Sequence, residues 1–158
     1  MSNEATARAA VTDVIAGNSF CTLATSSADN RPHVPGVLYA LVGRDLYVNT
    51  DTASRKARNI AENPRVAVCI PVQADPQGPP FTASLQGTAT VLQNDDPEIV
   101  GLAHDGSLAA VTSHGELERP GTCFIKISPG PHVATFGIGV PEEEMAADPL
   151  SASGRVEW

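Results

Sequence analysis

The chain has 158 residues, 42% of them hydrophobic, and carries a formal net charge of −8 at pH 7. A chain of this length is expected to form one domain with its own core, and no apolar run approaches the roughly 18 residues that a membrane-spanning helix requires. The negative charge argues against nucleic acid as a partner, because phosphate backbones select basic surfaces. Residues 1–8 lack the basic and apolar regions of a secretory signal, so the expected location is the cytoplasm.

The cysteines and histidines give no sign of a disulfide or a metal site. Cys21, Cys69 and Cys123 are odd in number and lie far apart in apolar, strand-like runs, which favours buried, reduced thiols. The four histidines are scattered without the spacing of metal ligands. We therefore expect no metal ion.

The first half of the chain predicts one helix and three strands ahead of a second helix. Residue spacing and turn chemistry give a helix over 3–16, a strand over 19–26, a turn over 28–32, an extended segment over 33–42 and a strand over 46–49. Pro35-Gly36 must lie at an edge or a bulge, because proline cannot donate a ladder hydrogen bond. Residues 19–49 therefore predict a three-stranded meander.

The second half of the chain alternates long strands with short helical segments. The predicted elements are a strand over 65–72, a loop with three prolines over 73–80, a strand over 81–93 with a bulge or sharp bend at Gly87, helical turns over 97–103 and 107–112, and short strands over 123–128 and 132–137. Residues 141–158, which begin with an acidic run, predict a loosely ordered tail. Helices inserted between hairpins favour antiparallel connectivity and an α+β or barrel class.

The segment 46–64 places cations where a helix does not favour them. A strand leads into a helix that ends before Pro64, and Arg55, Lys56 and Arg58 fall in the first turn and a half of that helix. A helix N-terminus is already partly positive, so the arrangement becomes favourable if residues 50–58 hold an anion such as the phosphate of a cofactor. The alternative is a solvated helix face on which Arg58 pairs with Glu62. The charge pattern alone leaves both interpretations open.

Other chemistry has weaker support in the sequence. Glycine-rich phosphate loops of the GxGxxG and GxxxxGK types are absent, as is the GxSxG nucleophile motif. His104-Asp105 and His114 are possible acid–base groups, but a polar helix–loop region favours surface positions for them. His33 and Tyr39 flank the Pro-Gly opening, where a core position is the common role of a tyrosine.

Five segments together resemble the pyridoxamine 5'-phosphate oxidase-like family of flavin-binding split β-barrels. They are Leu23-Ala24-Thr25, Asp29-Asn30-Arg31-Pro32-His33-Val34, Leu46-Tyr47-Val48-Asn49-Thr50, Ser54-Arg55-Lys56-Ala57-Arg58-Asn59-Ile60 and Asn63-Pro64-Arg65-Val66. The resemblance implies a mainly β (α+β) fold, a six-stranded antiparallel Greek-key split barrel with peripheral helices over 1–140, followed by the 141–158 tail. It also implies a homodimer that binds FMN at the subunit interface.

The resemblance also assigns candidate site residues. It places Ser54, Arg55 and Lys56 in a phosphate clamp, and Asn49 and Thr50 at the strand end ahead of the helix. Arg58 completes the cationic segment. The strand beside the flavin ring carries Val34, Val37, Leu38 and Tyr39. A related branch of the family uses a deazaflavin coenzyme, and Lys56, Arg58 and Asn59 satisfy its pattern too. The catalytic residues and the substrate are not indicated.

The expected function is that of an FMN-dependent oxidoreductase acting on a small organic substrate. A deazaflavin-dependent reductase, a flavin carrier or sensor without turnover, and a cofactor-free dimeric module remain as alternatives. Gly154-Arg155-Val156-Glu157-Trp158 is spaced differently from the C-terminal Trp and Arg of the true pyridoxamine 5'-phosphate oxidases. That particular activity is therefore not expected.

Overall fold

The computed structural model describes residues 3–73, 75–79 and 81–158, and within them a mostly antiparallel sheet is flanked by short helices. The helices are α1 (Asn3–Ala16), α2 (Arg55–Glu62), α3 (Pro97–His104), α4 (Ala109–Thr112) and α5 (Glu142–Ala147), with a 3₁₀ turn at Pro149–Ala152. The strands are β1 (Phe20–Ser26), β2 (Pro32–His33), β3 (Gly36–Leu38), β4 (Ala40–Val42), β5 (Asp45–Asp51), β6 (Arg65–Val72), β7 (Phe81–Gln93), β8 (Thr122–Phe136) and β9 (Ser153–Glu157). The predicted loop 73–80 includes residues 74 and 80, which lie outside the described residues.

The sheet runs in the order β2-β1-β6-β7-β8-β5-β4, and its neighbouring strands are antiparallel. Segment 36–42 links the two ends of this order. Its first half, β3, pairs with β1 and places Val37 opposite Cys21, whereas its second half, β4, pairs with β5 and places Leu41 opposite Leu46. The sheet therefore curves back on itself, which confirms the predicted α+β split barrel.

The predicted count of six strands is wrong, because the described residues contain nine. The extended segment 33–42 is divided into β2, β3 and β4 and does not form the middle strand of a meander. Pro35 lies between β2 and β3, and its carbonyl accepts a hydrogen bond from the Leu23 N–H at 3.0 Å. The absent proline N–H explains the first break. The predicted edge position is confirmed, because β3, which begins at Gly36, pairs with β1 alone among the described strands.

Tyr39 lies at the second break, between β3 and β4, and holds α1 against the barrel. Its N–H donates to the Ser19 carbonyl at 2.8 Å, which extends the pairing of β3 with β1 by one residue. Its side chain is only 1% exposed, and its hydroxyl donates to the Ile15 carbonyl at 2.6 Å. Burial raises the pKa of Tyr39 above its ordinary value. Tyr39 is thus part of the core, together with Val11 and Ile15 of α1.

The two short strands predicted over 123–128 and 132–137 are in fact one strand, β8. Residues 122–127 of β8 pair with β5, and residues 132–136 pair with β9. Among the described strands, β7 is therefore the only neighbour of residues 128–131. The Pro131 carbonyl accepts from the Trp158 N–H at 2.9 Å, on the side away from β7. In a strand the N–H and C=O of one residue point the same way, so the missing N–H of Pro131 leaves no β7 acceptor unpaired.

The bulge or sharp bend predicted at Gly87 corresponds to a register shift between Leu85 and Gly87, across which β8 contributes two more residues than β7. A Cβ at Gly87 would collide with the Ser128 carbonyl oxygen and come within 3.0 Å of Pro129 Cα. Glycine is therefore required where the two backbones approach.

The prediction of a loosely ordered tail over 141–158 is also wrong. The acidic run lies on the exposed side of α5 and Met145 is buried, while β9 pairs with β8 so that Val156 lies opposite Val133. Val156 and Trp158 belong to the same core as Val11, and the indole Nε1 of Trp158 donates to the Arg44 carbonyl at 3.1 Å. Apolar residues this sparse give little periodicity, which explains why the sequence did not reveal the packing.

Among the described residues, none of the helices has the length and apolar composition needed to cross a membrane.

A charged cluster ties α3 to the sheet. Glu98 Oε1 accepts hydrogen bonds from Lys126 Nζ at 2.6 Å and from the Tyr47 hydroxyl at 2.5 Å, and Tyr47 and Lys126 face each other across β5 and β8. The Lys126 hydrogen bond, followed by that of Tyr47, holds the pKa of Glu98 below its usual range. Glu98 therefore connects the α3–α4 segment to two central strands.

We expect Glu98→Gln to lower the free energy of unfolding at neutral pH by roughly 1 kcal/mol, because a partly exposed charged hydrogen bond is lost. The folded-state pKa of Glu98 lies below its ordinary value of 4.5, so its contribution is complete above that pH and is lost as the pH falls through the folded value. Urea unfolding at neutral pH and at about pH 3 should show a variant that matches the wild type only in acid. The exposed Asp95→Asn is the control, and identical curves for wild type and Glu98→Gln would contradict the assignment.

Candidate functional site

The start of α2 is built by side chains that cap it. Ser54 has extended backbone angles, its carbonyl accepts from the Arg58 N–H at 3.1 Å, and its Oγ accepts from the Ala57 N–H at 3.3 Å. Thr50 at the end of β5 donates its hydroxyl to the same Oγ at 3.3 Å. The strand–helix turn is therefore fixed by a serine cap, and the proton of the Ser54 hydroxyl stays available to a ligand.

The cations at this helix start form no ion pair with any residue that the structure describes. Among the described residues no carboxylate lies within 4.0 Å of the charged groups of Arg55, Lys56 or Arg58, and the pair considered between Arg58 and Glu62 is not formed. Arg55 and Arg58 are exposed, whereas Lys56 is half-buried. The N–H groups of Arg55 and Lys56 have no acceptor among the described residues. The helix start thus presents cations without an ion-pair partner among the described residues, together with free donors.

A cavity of about 230 Å³ lies beside this helix start, and we call it the Lys56 cavity. It is lined by Gly36, Val37, Leu38, Asn49, Lys56, Val111 and Glu116. Four of the predicted site residues, from β3, β5 and α2, therefore meet at one place. The Asn49 side chain donates from Nδ2 to the Cys123 carbonyl at 3.3 Å, which leaves its Oδ1 free of an intrachain donor. The cavity offers one ammonium group, one amide oxygen and one carboxylate.

The structure places the other predicted site residues around the cavity or away from it. Thr50 and Ser54 lie beneath the helix start and support it, and Arg55 and Arg58 flank it on the surface. Tyr39 is buried against Ile15, so its side chain serves the core. Val34 is 64% exposed and lines a different concavity.

Sequence reasoning missed two residues of the cavity, Val111 and Glu116. Both come from the α4 region, far along the chain from β5 and α2, and no local motif marks them. Asn59 is a further residue that supports the site, because its side chain is 6% exposed and donates from Nδ2 to Thr25 Oγ1 at 2.9 Å. This buried bond fixes α2 to β1.

A larger groove of about 1350 Å³ crosses β1, β6, β7 and β8, and we call it the sheet groove. Arg65, His132 and Arg155 line it, and its lining contains no aspartate or glutamate. Arg155 Nη2 lies 2.7 Å from His132 Nδ1, and since a guanidinium only donates, that nitrogen acts as the acceptor. The groove is positive in an otherwise acidic protein.

Neither the thiols nor the histidines are grouped as a reactive centre. All three cysteines are free, and burial raises the pKa of Cys21 to about 12. His114 Nδ1 lies 3.5 Å from Glu116, and His104 ends α3. Within the described residues no three side chains of the His, Cys, Asp and Glu types are placed to hold a metal ion.

Comparison with known families gives one match, which covers residues 7–129 and is described as pyridoxamine 5'-phosphate oxidase. A comparison with curated protein sequences gave no match.

Several solved structures share the fold. A heme binding protein from Mycobacterium smegmatis is 20% identical, with a TM-score of 0.70 over 89% of this chain and 60% of its own. The heme storage protein HutZ from Vibrio cholerae is 17% identical, with a TM-score of 0.65 over 82% and 92%. An F420 reductase is 19% identical, with a TM-score of 0.54 over 75% and 92%. The chain spans about 60% of the length of the Mycobacterium protein. At these identities the likeness shows the fold alone.

Proposed function

Because this chain belongs to the pyridoxamine 5'-phosphate oxidase family, we propose that it binds FMN in the Lys56 cavity and acts as an FMN-dependent oxidoreductase on a small organic substrate. Lys56 and Arg55, with their free N–H groups and the Ser54 hydroxyl, would hold the phosphate. The backbone of residues 34–38 and Asn49 would orient the rest of the cofactor. When bound, the flavin supplies the hydride or electron transfer, and the protein supplies binding and orientation.

The unpaired cations at the start of α2 carry this proposal. Like charges at the positive end of a helix are unfavourable by about 0.3–1 kcal/mol each unless an anion compensates them. Ser54, Lys56 and the free N–H groups are the donors that bind phosphate at helix N-termini. The residues present therefore fit a phosphorylated cofactor.

We also propose that the site is completed by a second copy of the chain. The Lys56 cavity holds about 230 Å³, less than the roughly 300–1,000 Å³ of ordinary ligand pockets. Phe20 and Leu38 face each other across β1 and β3 and are 48% and 54% exposed. Leu38 lines this cavity, and the Phe20 ring lies against Gly36, which also lines it. A partner subunit that covers these apolar side chains would also enclose the flavin ring, which supports a homodimer with the cofactor at the interface.

A deazaflavin coenzyme is the alternative within the same site. The F420 reductase that shares the fold favours this choice, and the cationic helix start accepts either phosphorylated coenzyme. A carrier or sensor that holds a flavin without turnover uses the same residues. The chemistry of the Lys56 cavity is compatible with each of these alternatives, and the experiment below distinguishes them by their ligands and by whether the bound flavin is reduced.

Heme is a second candidate ligand, and it is assigned to the sheet groove. The groove has room for a large planar molecule, and Arg65 and Arg155 present the positive charge that the propionates of heme require. The heme-binding and heme-storage proteins that share the fold support this candidate.

The visible spectrum of the freshly purified protein tests these proposals, together with mass spectrometry of whatever it releases. Cofactor-free protein is then titrated with FMN, with the deazaflavin coenzyme F420 and with hemin. Tight binding of FMN, followed by reduction of the bound flavin by NADH or NADPH and reoxidation by an acceptor, supports the oxidoreductase. If the protein binds FMN but neither NADH nor NADPH reduces the bound flavin, the result favours a flavin carrier or sensor. Binding of hemin alone overturns the flavin proposal.

A further inference from the structure

Glu116 brings a carboxylate into a cavity that otherwise suits an anion. It is the acidic residue among the groups lining the Lys56 cavity, and its side chain is 24% exposed. Its Oε2 accepts from the His114 N–H at 2.8 Å, and this bond is the main reason that the pKa of Glu116 is lowered. The carboxylate is therefore ionised at neutral pH and faces the same space as Lys56.

The position of Glu116 is fixed by the start of β8. The Thr122 hydroxyl lies 3.1 Å from the Glu116 carbonyl and 3.0 Å from the Arg119 carbonyl, so its one proton is shared between them, and Thr122 Oγ1 accepts from Asn94 Nδ2 at 3.0 Å. The Asn94 amide also donates to the Leu117 carbonyl at 3.3 Å. These bonds hold the loop that follows α4 against the sheet, so Glu116 is a built part of the cavity wall.

A cavity with an ammonium group on one wall and a carboxylate on another selects its ligand by charge pattern. A ligand that is anionic throughout is repelled by Glu116, and a neutral ligand leaves Lys56 without a partner. A hydroxyl group, in contrast, donates to a carboxylate in a charge-assisted hydrogen bond. For the phosphorylated cofactor proposed above, the carboxylate therefore favours hydroxyl groups next to the phosphate over a second anionic group.

We infer that Glu116 is a specificity-determining residue that accepts hydrogen bonds from the hydroxyl groups of a phosphorylated polyol, here the ribityl chain of the flavin. This inference rests on the proposed function, since it assigns the hydroxyl-bearing arm of the cofactor to Glu116 and its phosphate to Lys56. It also gives the two charged residues separable roles. Lys56 recognises the phosphate, and Glu116 recognises the hydroxyl groups next to it.

Three ligands that differ only in this arm test the assignment. FMN carries the hydroxyls and the phosphate, riboflavin carries the hydroxyls alone, and lumiflavin carries neither. In titrations of flavin fluorescence, Glu116→Ala should lower the affinity for FMN and for riboflavin by about tenfold each, because a hydrogen bond to a charged acceptor is lost. The affinity for lumiflavin should not change. Lys56→Ala should weaken FMN alone.

Matched variants keep the test independent of folding. Glu116→Gln preserves the shape of the side chain with a neutral acceptor. It should lower the affinity for riboflavin by about threefold, since neutral hydrogen bonds are about half as strong. The exposed Glu118→Ala, on the same loop, should change none of the three affinities.

Equal losses for all three flavins, or unchanged affinities, would overturn the role of Glu116, and so would tighter binding of FMN with riboflavin unchanged. A wild-type protein that binds none of the flavins would overturn the proposed function itself. The two failures are thereby distinguished.

Discussion

Replacing Arg55 and Lys56 together by alanine is expected to weaken FMN binding by about 2–5 kcal/mol, or roughly 30-fold to several thousand-fold. The double variant removes both clamp cations beside the Lys56 cavity, and a charged hydrogen bond is worth about 1.5–3 kcal/mol. Lys56 should account for the larger share because it lines the cavity and is half-buried, whereas Arg55 is exposed. Isothermal titration with FMN measures the loss.

The fold of this double variant should be intact. The helix is capped by Ser54 and buries Ala57, Asn59 and Ile60, and these residues are unchanged. Replacing two exposed arginines elsewhere, Arg8→Ala with Arg44→Ala, changes the net charge by the same amount and is the control for long-range electrostatics. Unchanged FMN affinity in the clamp variant, or an equal loss in the control, would remove the support for a phosphate at this helix.

Trp158→Ala is expected to lower the free energy of unfolding by about 3–5 kcal/mol, the usual cost of removing a large aromatic side chain from a core. Trp158 is 7% exposed, packs in the main core cluster and donates its indole N–H to the Arg44 carbonyl. Urea denaturation monitored by circular dichroism gives the change in stability.

Leu150→Ala is the matched control for this prediction. Leu150 belongs to the same C-terminal segment and is 86% exposed, so its removal should change stability by less than about 0.5 kcal/mol. A loss below about 1 kcal/mol for Trp158→Ala would mean that the C-terminal strand does not share the core of the barrel.

The fold was predictable wherever local chemistry decides it. Ser54 and Pro64 bound α2 where the sequence placed it, and β7 runs over the predicted residues with an irregularity in its pairing at Gly87. Prediction failed where strand neighbours override local signals. Pro129 and Pro131 did not end β8. The missing N–H of Pro131 falls on the side of the strand away from β7, where the Pro131 carbonyl accepts from the Trp158 N–H.

The candidate site was predictable only in part, for a similar reason. Asn49 and Lys56 lie within one strand–helix unit, so a local charge pattern and a family resemblance reach both. Glu116 enters the cavity from a loop about sixty residues further along the chain. Only the packing of α3 and α4 on the sheet, which depends on contacts such as that of Glu98 with Lys126, brings it there. Tyr39 was misplaced because its position beside the Pro-Gly opening does not reveal a side chain turned toward α1.

A crystal structure of the protein with FMN tests the central claim most directly. We expect the phosphate oxygens at hydrogen-bonding distance from Lys56 Nζ and from the N–H groups of Arg55 and Lys56, with the ring beside residues 34–38 and covered by a second copy of the chain. An α2 helix whose first turn faces bulk solvent while FMN lies elsewhere would contradict the account.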